Sequence, residues 1–325
     1  MITQPQPILT VRVARKVIET TDICCLDLVA EDDGELPEFS AGSHIDVHLP
    51  GGLVRQYSLC NSPADRHRYQ IAVLREPASR GGSAAVHELV KDGDVLQIGT
   101  PRNHFELLTN ARKSLLLAGG IGVTPILAMA EQMAAAHADF QMHYTARCRD
   151  RMAFHERIRC SPFAERVSLH FDDAAPERRL DLAAALGEPD SETHLYVCGP
   201  KGFIDAVLNT ARTQGWQESQ LHWESFAGEA TAPSIGDVPF EVQLASSGRV
   251  IVVPADKPVT QALADAGIEV MVSCEQGVCG TCMTRVISGE VDHRDYFLTA
   301  EEQALNDRFT PCCSRAKSAR LVLDL

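Results

Sequence analysis

The densest concentration of chemically capable residues lies near the C-terminus, in "SCEQGVCGTCMTRVISGEVDHRD", residues 273–295. Cys274, Cys279 and Cys282 stand at C-x4-C-x2-C spacing, three soft thiolate donors within nine residues. Followed by a distant fourth cysteine, this is the spacing that lets four thiolates hold a [2Fe-2S] cluster. Such a loop must wrap one iron and turn its amide N–H groups toward the cluster sulfurs, and Gly277 and Gly280 supply the backbone freedom it needs. The fourth thiolate belongs to "FTPCCSRAKS", where Cys312 and Cys313 are adjacent and their chemistry does not choose between them. The competing uses are a zinc site, which usually shows paired C-x2-C units, and buried inert cysteines.

A second chemical signal is "KSLLLAGGIGVTPILAMAEQMA". An apolar strand from Ser114 to Ala118 runs into a turn at Gly119, Gly120 and Gly122 and then into a helix, with Thr124 expected as its N-cap and Pro125 in its first turn. A turn of this kind lets backbone approach a pyrophosphate at the positive helix end, although it departs from strict G-x-G-x-x-G. A tight strand-to-helix turn without a ligand is the bland alternative. Cys198-Gly199-Pro200 closes another apolar strand, "THLYVCGP", at the end where ligands of such sheets sit. In the N-terminal part, "RQYSL" joins the guanidinium of Arg55 to Tyr57 and Ser58, and "RGGSAAVHELV" places Gly81, Gly82 and Ser83 at a helix start, a second place for an anion. Arg55 and Tyr57 read equally as barrel-surface residues, and Cys24 and Cys25 as structural.

The elements that must position these residues fall into three groups. "ILTVRVARKVIE", "DICCLDLVA", "SHIDVHLP", "LVRQYSLCN", "YQIAVLRE" and "DVLQIGTP" are short strands between turn residues, which predicts a small antiparallel barrel over residues 1–107. Residues 108–229 alternate strands with helices, the pattern of a parallel α/β sheet. Residues 237–325 read as two strands around Ser246-Ser247-Gly248, a helix ending at Gly267, the cysteine loop and further strands, an α+β order. "AGEATAPSIGDVP", residues 227–239, reads as a linker.

Composition narrows the partners. A chain of 325 residues, 45% hydrophobic and 23% charged, is that of a multidomain globular protein. Its formal charge of −14 argues against nucleic acid or an anionic membrane as the main partner. No apolar run approaches the roughly 20 residues of a membrane span, and the N-terminus lacks a signal-peptide core, so a cytoplasmic protein is expected. Thiols stay reduced there, so eleven cysteines call for a use other than disulfides. Residues 237–325 carry eight Lys and Arg against thirteen Asp and Glu, a net charge of −5, which suits a basic docking patch on a partner as well as a plain solvated surface.

The last 90 or so residues resemble a plant-type ferredoxin of β-grasp fold. The whole order "RQYSL", "RGGS", "GGIGVTP", "VCGP", "HWESF", "CEQGVCGTC" is similar to the phthalate dioxygenase reductase family, which includes reductase components of Rieske oxygenase systems. That resemblance implies a flavin barrel, a pyridine-nucleotide domain and a C-terminal [2Fe-2S] domain in this order, with FMN and NADH as cofactors. It implies that Arg55 binds the FMN phosphate with Gly81, Gly82 and Ser83, that Tyr57 and Val73 line the flavin pocket, that Ser58 lies near the flavin N5, and that Phe226 covers the flavin face. It assigns Gly120, Thr124, Asp172, Cys198 and Gly199 to NADH, with Cys198 close to the nicotinamide, and favours Cys312 as the fourth iron ligand. Arg147, Arg149 and Arg151 could serve a 2′-phosphate, but Asp172 and Asp173 would repel one, which favours NADH. The expected activity is electron transfer, NADH to FMN to [2Fe-2S] to a Rieske-type oxygenase, by a monomer with no catalytic triad. A stand-alone NADH oxidoreductase and a non-catalytic flavin-binding regulatory subunit are the two alternatives.

Overall fold

The computed structural model describes residues 7–77, 81–108, 111–175, 179–226, 237–272, 277 and 280–325. The chain divides into two compact units, Met1–Phe226 and Ala227–Leu325.

The first unit opens with strands β1 (Ile8–Thr20), β2 (Ile23–Ala30), β3 (Ser43–Leu49), β4 (Leu53–Ser58) and β5 (Tyr69–Leu74). Helix α1 (Gly82–Glu88) and strands β6 (Val95–Gly99) and β7 (Arg102–Asn103) follow. The strands pair antiparallel in the order β4-β3-β6-β1-β2-β5, with β7 against β3. A bridge between Leu59, just beyond β4, and Ile71 in β5 joins the two ends of that order, so the sheet closes on itself. Closure removes the exposed edges, and the enclosed face buries Val11, Val13, Leu26, Leu28, Ile45, Val47 and Ile71.

The chain then alternates strand and helix: β8 (Lys113–Gly119), α2 (Val123–Ala135), β9 (Asp139–Ala146), α3 (His155–Arg159), β10 (Val167–Phe171), α4 (Leu182–Leu186), β11 (Thr193–Cys198), α5 (Lys201–Gln214) and β12 (Leu221–Glu224). All five strands are parallel, in the order β10-β9-β8-β11-β12. The order reverses between β8 and β11, so a crevice opens beyond their carboxyl ends. Strand β8 is buried along nearly its whole length, as a central strand covered on both faces must be. One core spans both sheets of this unit, packing Cys25, Cys60 and Ala72 of the first with Phe140, Met142, Tyr144 and Tyr196 of the second.

The second unit contains β13 (Phe240–Leu244), β14 (Val250–Val253), α6 (Val259–Asp265), β15 (Thr284–Ser288), β16 (Val291–Asp292), α7 (Ala300–Leu305), β17 (Arg308–Phe309), β18 (Arg315–Ala316) and β19 (Arg320–Leu323). Its main sheet runs β14-β13-β19-β15-β17 and is mixed, with β13 and β19 parallel. Helix α6 lays Val259, Ala262 and Leu263 into the core that this sheet forms. Strands β16 and β18 make a separate ribbon that pairs Asp292 with Arg315.

One local expectation is corrected. Thr124 is not the N-cap of α2: a 3-10 turn over Gly120–Gly122 leads directly into the helix, and Gly122 caps it without a side chain. Thr124 is already inside α2, fully buried, and its hydroxyl donates back to the Ile121 carbonyl at 3.1 Å. The 3-10 turn runs straight into the helix, so the helix starts two residues earlier than a threonine cap would require.

Candidate functional site

In the first unit the residues of interest gather where β4 ends and where β8, β11 and β12 end. Ser58, the last residue of β4, is buried, and its hydroxyl donates to Glu224 Oε2 at 3.5 Å. Glu224 is the last residue of β12 and lies in register with Cys198 at the end of β11. Burial pushes the Glu224 carboxyl up to about 8, only partly offset by the hydrogen bond from Ser58. Burial also drives the Cys198 thiol well above its ordinary value, and the neighbouring Glu224 carboxylate adds to the shift. Cys198 is therefore a neutral thiol at the head of the crevice and not a nucleophile.

The crevice itself is built of backbone. A Cβ on Gly122 would lie 2.3 Å from the Cys198 carbonyl oxygen and 2.5 Å from the Gly199 nitrogen. A Cβ on Gly199 would lie 3.0 Å from the Gly119 Cα. The ends of β8 and β11 thus touch backbone to backbone, a closeness that only glycine allows. Gly120, with φ 54°, faces open space. This bare cradle at the head of α2 fits a pyrophosphate. Asp172, just past β10, accepts a hydrogen bond from Thr145 Oγ1 at 3.4 Å, which holds an acidic group at the carboxyl end of the neighbouring strands. Arg151 is paired with Asp22 at 3.2 Å.

On the β4 side, Arg55 and Tyr57 lie two residues apart on one strand. Tyr57 packs against the core of the closed sheet, and burial raises its phenol above the ordinary range. Arg55 donates to the Val54 carbonyl at 2.7 Å, and its side chain passes over the start of α1: a Cβ on Gly82 would lie 2.6 Å from Arg55 Cγ. Gly81 precedes the helix with φ 90° and no side-chain cap. A guanidinium over a bare glycine turn is a donor set that fits a phosphate monoester. Ser83 Oγ accepts the Glu76 amide at 3.1 Å and so ties this turn to the end of β5, where the buried Val73 offers its carbonyl to His87 Nε2 at 2.9 Å. Phe226 is partly exposed at the end of the unit, two residues beyond Glu224.

In the second unit, Cys282, Cys312 and Cys313 are buried together beside Val270. Cys274 and Cys279 lie outside the described residues. A Cβ on Gly277 would lie 2.4 Å from Cys313 Sγ, and one on Gly280 would lie 2.4 Å from the Phe297 ring. With φ of 72° and 67°, both positions require glycine twice over. The Cys313 thiol sits 3.1 Å from Thr310 Oγ1 and 3.8 Å from Ser314 Oγ, which supply hydrogen-bond partners of its own. Gly277 and Gly280 in left-handed conformation beside buried soft donors fit an iron–sulfur cluster.

Comparison with known proteins agrees with this geometry. Residues 242–317 match the 2Fe-2S iron-sulfur cluster binding domain, and residues 100–221 match the N-terminal domain of the dimethylamine monooxygenase subunit DmmA-like family. The vanillate O-demethylase oxidoreductase of Pseudomonas putida is 58% identical over 308 residues, covering 94% of this chain and 96% of its own. The phthalate dioxygenase reductase of Burkholderia cepacia is 37% identical over 327 residues, covering 100% of both chains. The chain belongs to the phthalate dioxygenase reductase family. A solved structure of phthalate dioxygenase reductase, described as modular for electron transfer from pyridine nucleotides to [2Fe-2S], matches this reductase with TM-score 0.79 at 36% identity over 98% of each chain.

Glu224 is the site residue that sequence reasoning passed over. It stands inside the "HWESF" stretch, two residues before Phe226. Its burial and its contact with Ser58 come from tertiary structure alone, and the only sequence signal is an acidic side chain at the end of a parallel strand.

Proposed function

We propose that this reductase takes hydride from NADH onto FMN and passes single electrons through a [2Fe-2S] cluster to a Rieske-type oxygenase. The observation that carries the reading is the Ser58–Glu224 contact, because it brings the end of β4 and the carboxyl ends of β11 and β12 to one place. A flavin bound there supplies an acceptor that takes two electrons at once and returns them singly, as a one-electron cluster demands.

The chain's residues bind, orient and handle a proton. Arg55, over the Gly81-Gly82 turn, takes the FMN phosphate, with Ser83 holding that turn, while Tyr57, Val73 and Phe226 line the ring. Gly120 and Gly199 form the wall for NADH, Thr124 supports it from inside α2 by its bond to the Ile121 carbonyl, Asp172 faces the ribose, and neutral Cys198 fills the space beside the nicotinamide. Hydride brings one proton with its two electrons, and that proton must leave when the electrons do. Ser58 stands next to Glu224, whose carboxyl can bind and release a proton near neutral pH. Cys274, Cys279, Cys282 and Cys312 hold the irons, while Cys313, already hydrogen-bonded, is a core residue.

Three domains follow on this reading, 1–107 for FMN, 108–229 for NAD and 237–325 for the cluster. The protein is a cytoplasmic monomer. Among the described residues no helix is long and apolar enough to cross a membrane. Met271, Val272, Met283 and Tyr296 are exposed around the cysteine loop, so the partner meets an apolar collar as well as an acidic unit.

The test is NADH oxidation with and without a purified oxygenase component at several salt concentrations. Stimulation that weakens with salt supports the reading, and NADH oxidation indifferent to any oxygenase supports a stand-alone reductase. A second reading, a haem monooxygenase as acceptor, draws on a self-sufficient cytochrome P450 monooxygenase structure that aligns with 98% of this chain and 41% of its own at 40% identity. A P450 domain that draws electrons faster than the oxygenase does would establish it.

A further inference from the structure

The second unit holds a partly buried ionic network that no cofactor assignment accounts for. Asp237, the first described residue of the unit, accepts two hydrogen bonds from Arg294, Nη1 at 3.0 Å and Nη2 at 2.6 Å. It also lies 3.6 Å from Arg315 Nε. The Asp237 side chain is 6% exposed and the Arg315 side chain 7%. Arg315 donates in addition to the carbonyls of Lys257, Val238 and Pro254, at 2.9, 3.2 and 3.0 Å. Arg294 also bonds Asp292, at 2.7 Å.

The two guanidiniums belong to two segments, one that carries Cys312 and Cys313 and one that holds Gly277. Arg315 follows Cys312, Cys313 and Ser314. Arg294 precedes Asp295 and Tyr296, and the Tyr296 amide donates to the Gly277 carbonyl at 3.0 Å. The segments are stitched by the Arg294 amide donating to Ser314 Oγ at 3.1 Å and by Ser314 Oγ donating to Asp295 Oδ1 at 3.4 Å. The fully buried Asp295 side chain then accepts the Leu298 amide at 2.8 Å. Two cations this close repel unless a counter-charge lies between them, and a buried cation left unpaired is costly. Asp292 pairs with Arg294 alone, whereas Asp237 is the carboxylate that reaches both.

We propose that Asp237 is a positioning residue for the iron–sulfur loop: by pairing with both Arg294 and Arg315 it clamps the Cys312 segment to the segment that holds Gly277. The inference rests on reading the cysteines as cluster ligands. Asp237 thereby fixes the junction between the linker and the cluster site, and its loss loosens the site without removing a ligand.

The test uses purified holoprotein. Asp237→Asn keeps the shape and removes the charge. Iron release to a chelator is expected to be about tenfold faster, the usual scale for losing a supporting partner of a metal site, and the EPR signal of the dithionite-reduced protein is expected to shift. Asp237→Glu should restore both. Glu241→Gln, which breaks the exposed pair with Arg320 in the same unit, should change neither. Parental iron release and an unshifted signal in Asp237→Asn overturn the inference. Should Asp237→Asn fail to fold, Arg294→Lys receives the same two measurements, with the same expected result and the same contradicting one. A parent protein with no [2Fe-2S] signal overturns the cluster reading itself, which is a distinct failure.

Discussion

The Ser58 hydroxyl and the Glu224 carboxylate meet at 3.5 Å although 166 residues of chain separate them. The contact joins a strand of the closed antiparallel sheet to the last strand of the parallel one, and Cys198 lies in register beside it. Two chemistries, hydride acceptance and proton release, can therefore share one small volume.

The first prediction concerns pH. The ordinary value of a glutamate carboxyl is 4.5, and burial holds Glu224 up to about 8. Below the ordinary value both folded and unfolded chains carry the proton, and the stability linked to it is fully present. As pH rises through this window the unfolded chain ionises first, so that stability falls and is lost above the folded value. Glu224→Gln should flatten this decline in urea midpoints taken from pH 5 to 9. Turnover with cytochrome c as acceptor should inflect near pH 8 in the parent. In the variant it should be about 100-fold slower at neutral pH and lack the inflection.

Arg55→Met should weaken FMN binding by roughly 10- to 100-fold, the cost of one charge-assisted contact. Gly82→Ala should approach the same result without touching the guanidinium, because its Cβ would need the space of Arg55 Cγ at 2.6 Å. Fluorescence titration of the flavin-free protein measures both.

Gly122→Ala places a Cβ against the Cys198 carbonyl at 2.3 Å, and backbone cannot yield as a side-chain tip does. It should destabilise the first unit by about 1–3 kcal/mol. The KM for NADH should rise at least ~10-fold, with FMN still bound. Denaturant unfolding and steady-state kinetics separate the two effects.

Cys312→Ser should abolish the cluster, and Cys313→Ser should keep it, since the Cys313 thiol has Thr310 and Ser314 as hydrogen-bond partners. Iron content per chain decides. The reverse result would exchange the roles of the two cysteines.

Much of the framework is legible from local pattern. Alternation bounded by turn residues marks β1 to β6, and strand–helix alternation marks β8 to β11, because each element must bury a face of fixed period. Cys282 and Gly280 sit in a loop whose spacing alone announces soft-metal chemistry. Thr124 shows where local rules mislead: a hydroxyl at a helix start reads as a cap, but the 3-10 turn had already taken that position. Glu224 and Asp237 were invisible for a different reason. A carboxylate in a sequence reads as solvated surface, and the sum of −5 over residues 237–325 counts Asp237 and Asp295 as though they faced water. Their side chains are 6% and 0% exposed, so part of that charge is internal wiring. Only the three-dimensional pairing with Arg294, Arg315 and Ser314 reveals it.

The measurement that tests the account most directly is an anaerobic titration of the purified protein with NADH, followed by visible absorbance and low-temperature EPR. The account predicts flavin bleaching together with a rhombic signal of a reduced [2Fe-2S] cluster. Bleaching without that signal would contradict the assignment of the cysteines, and no bleaching would contradict the electron path from NADH altogether.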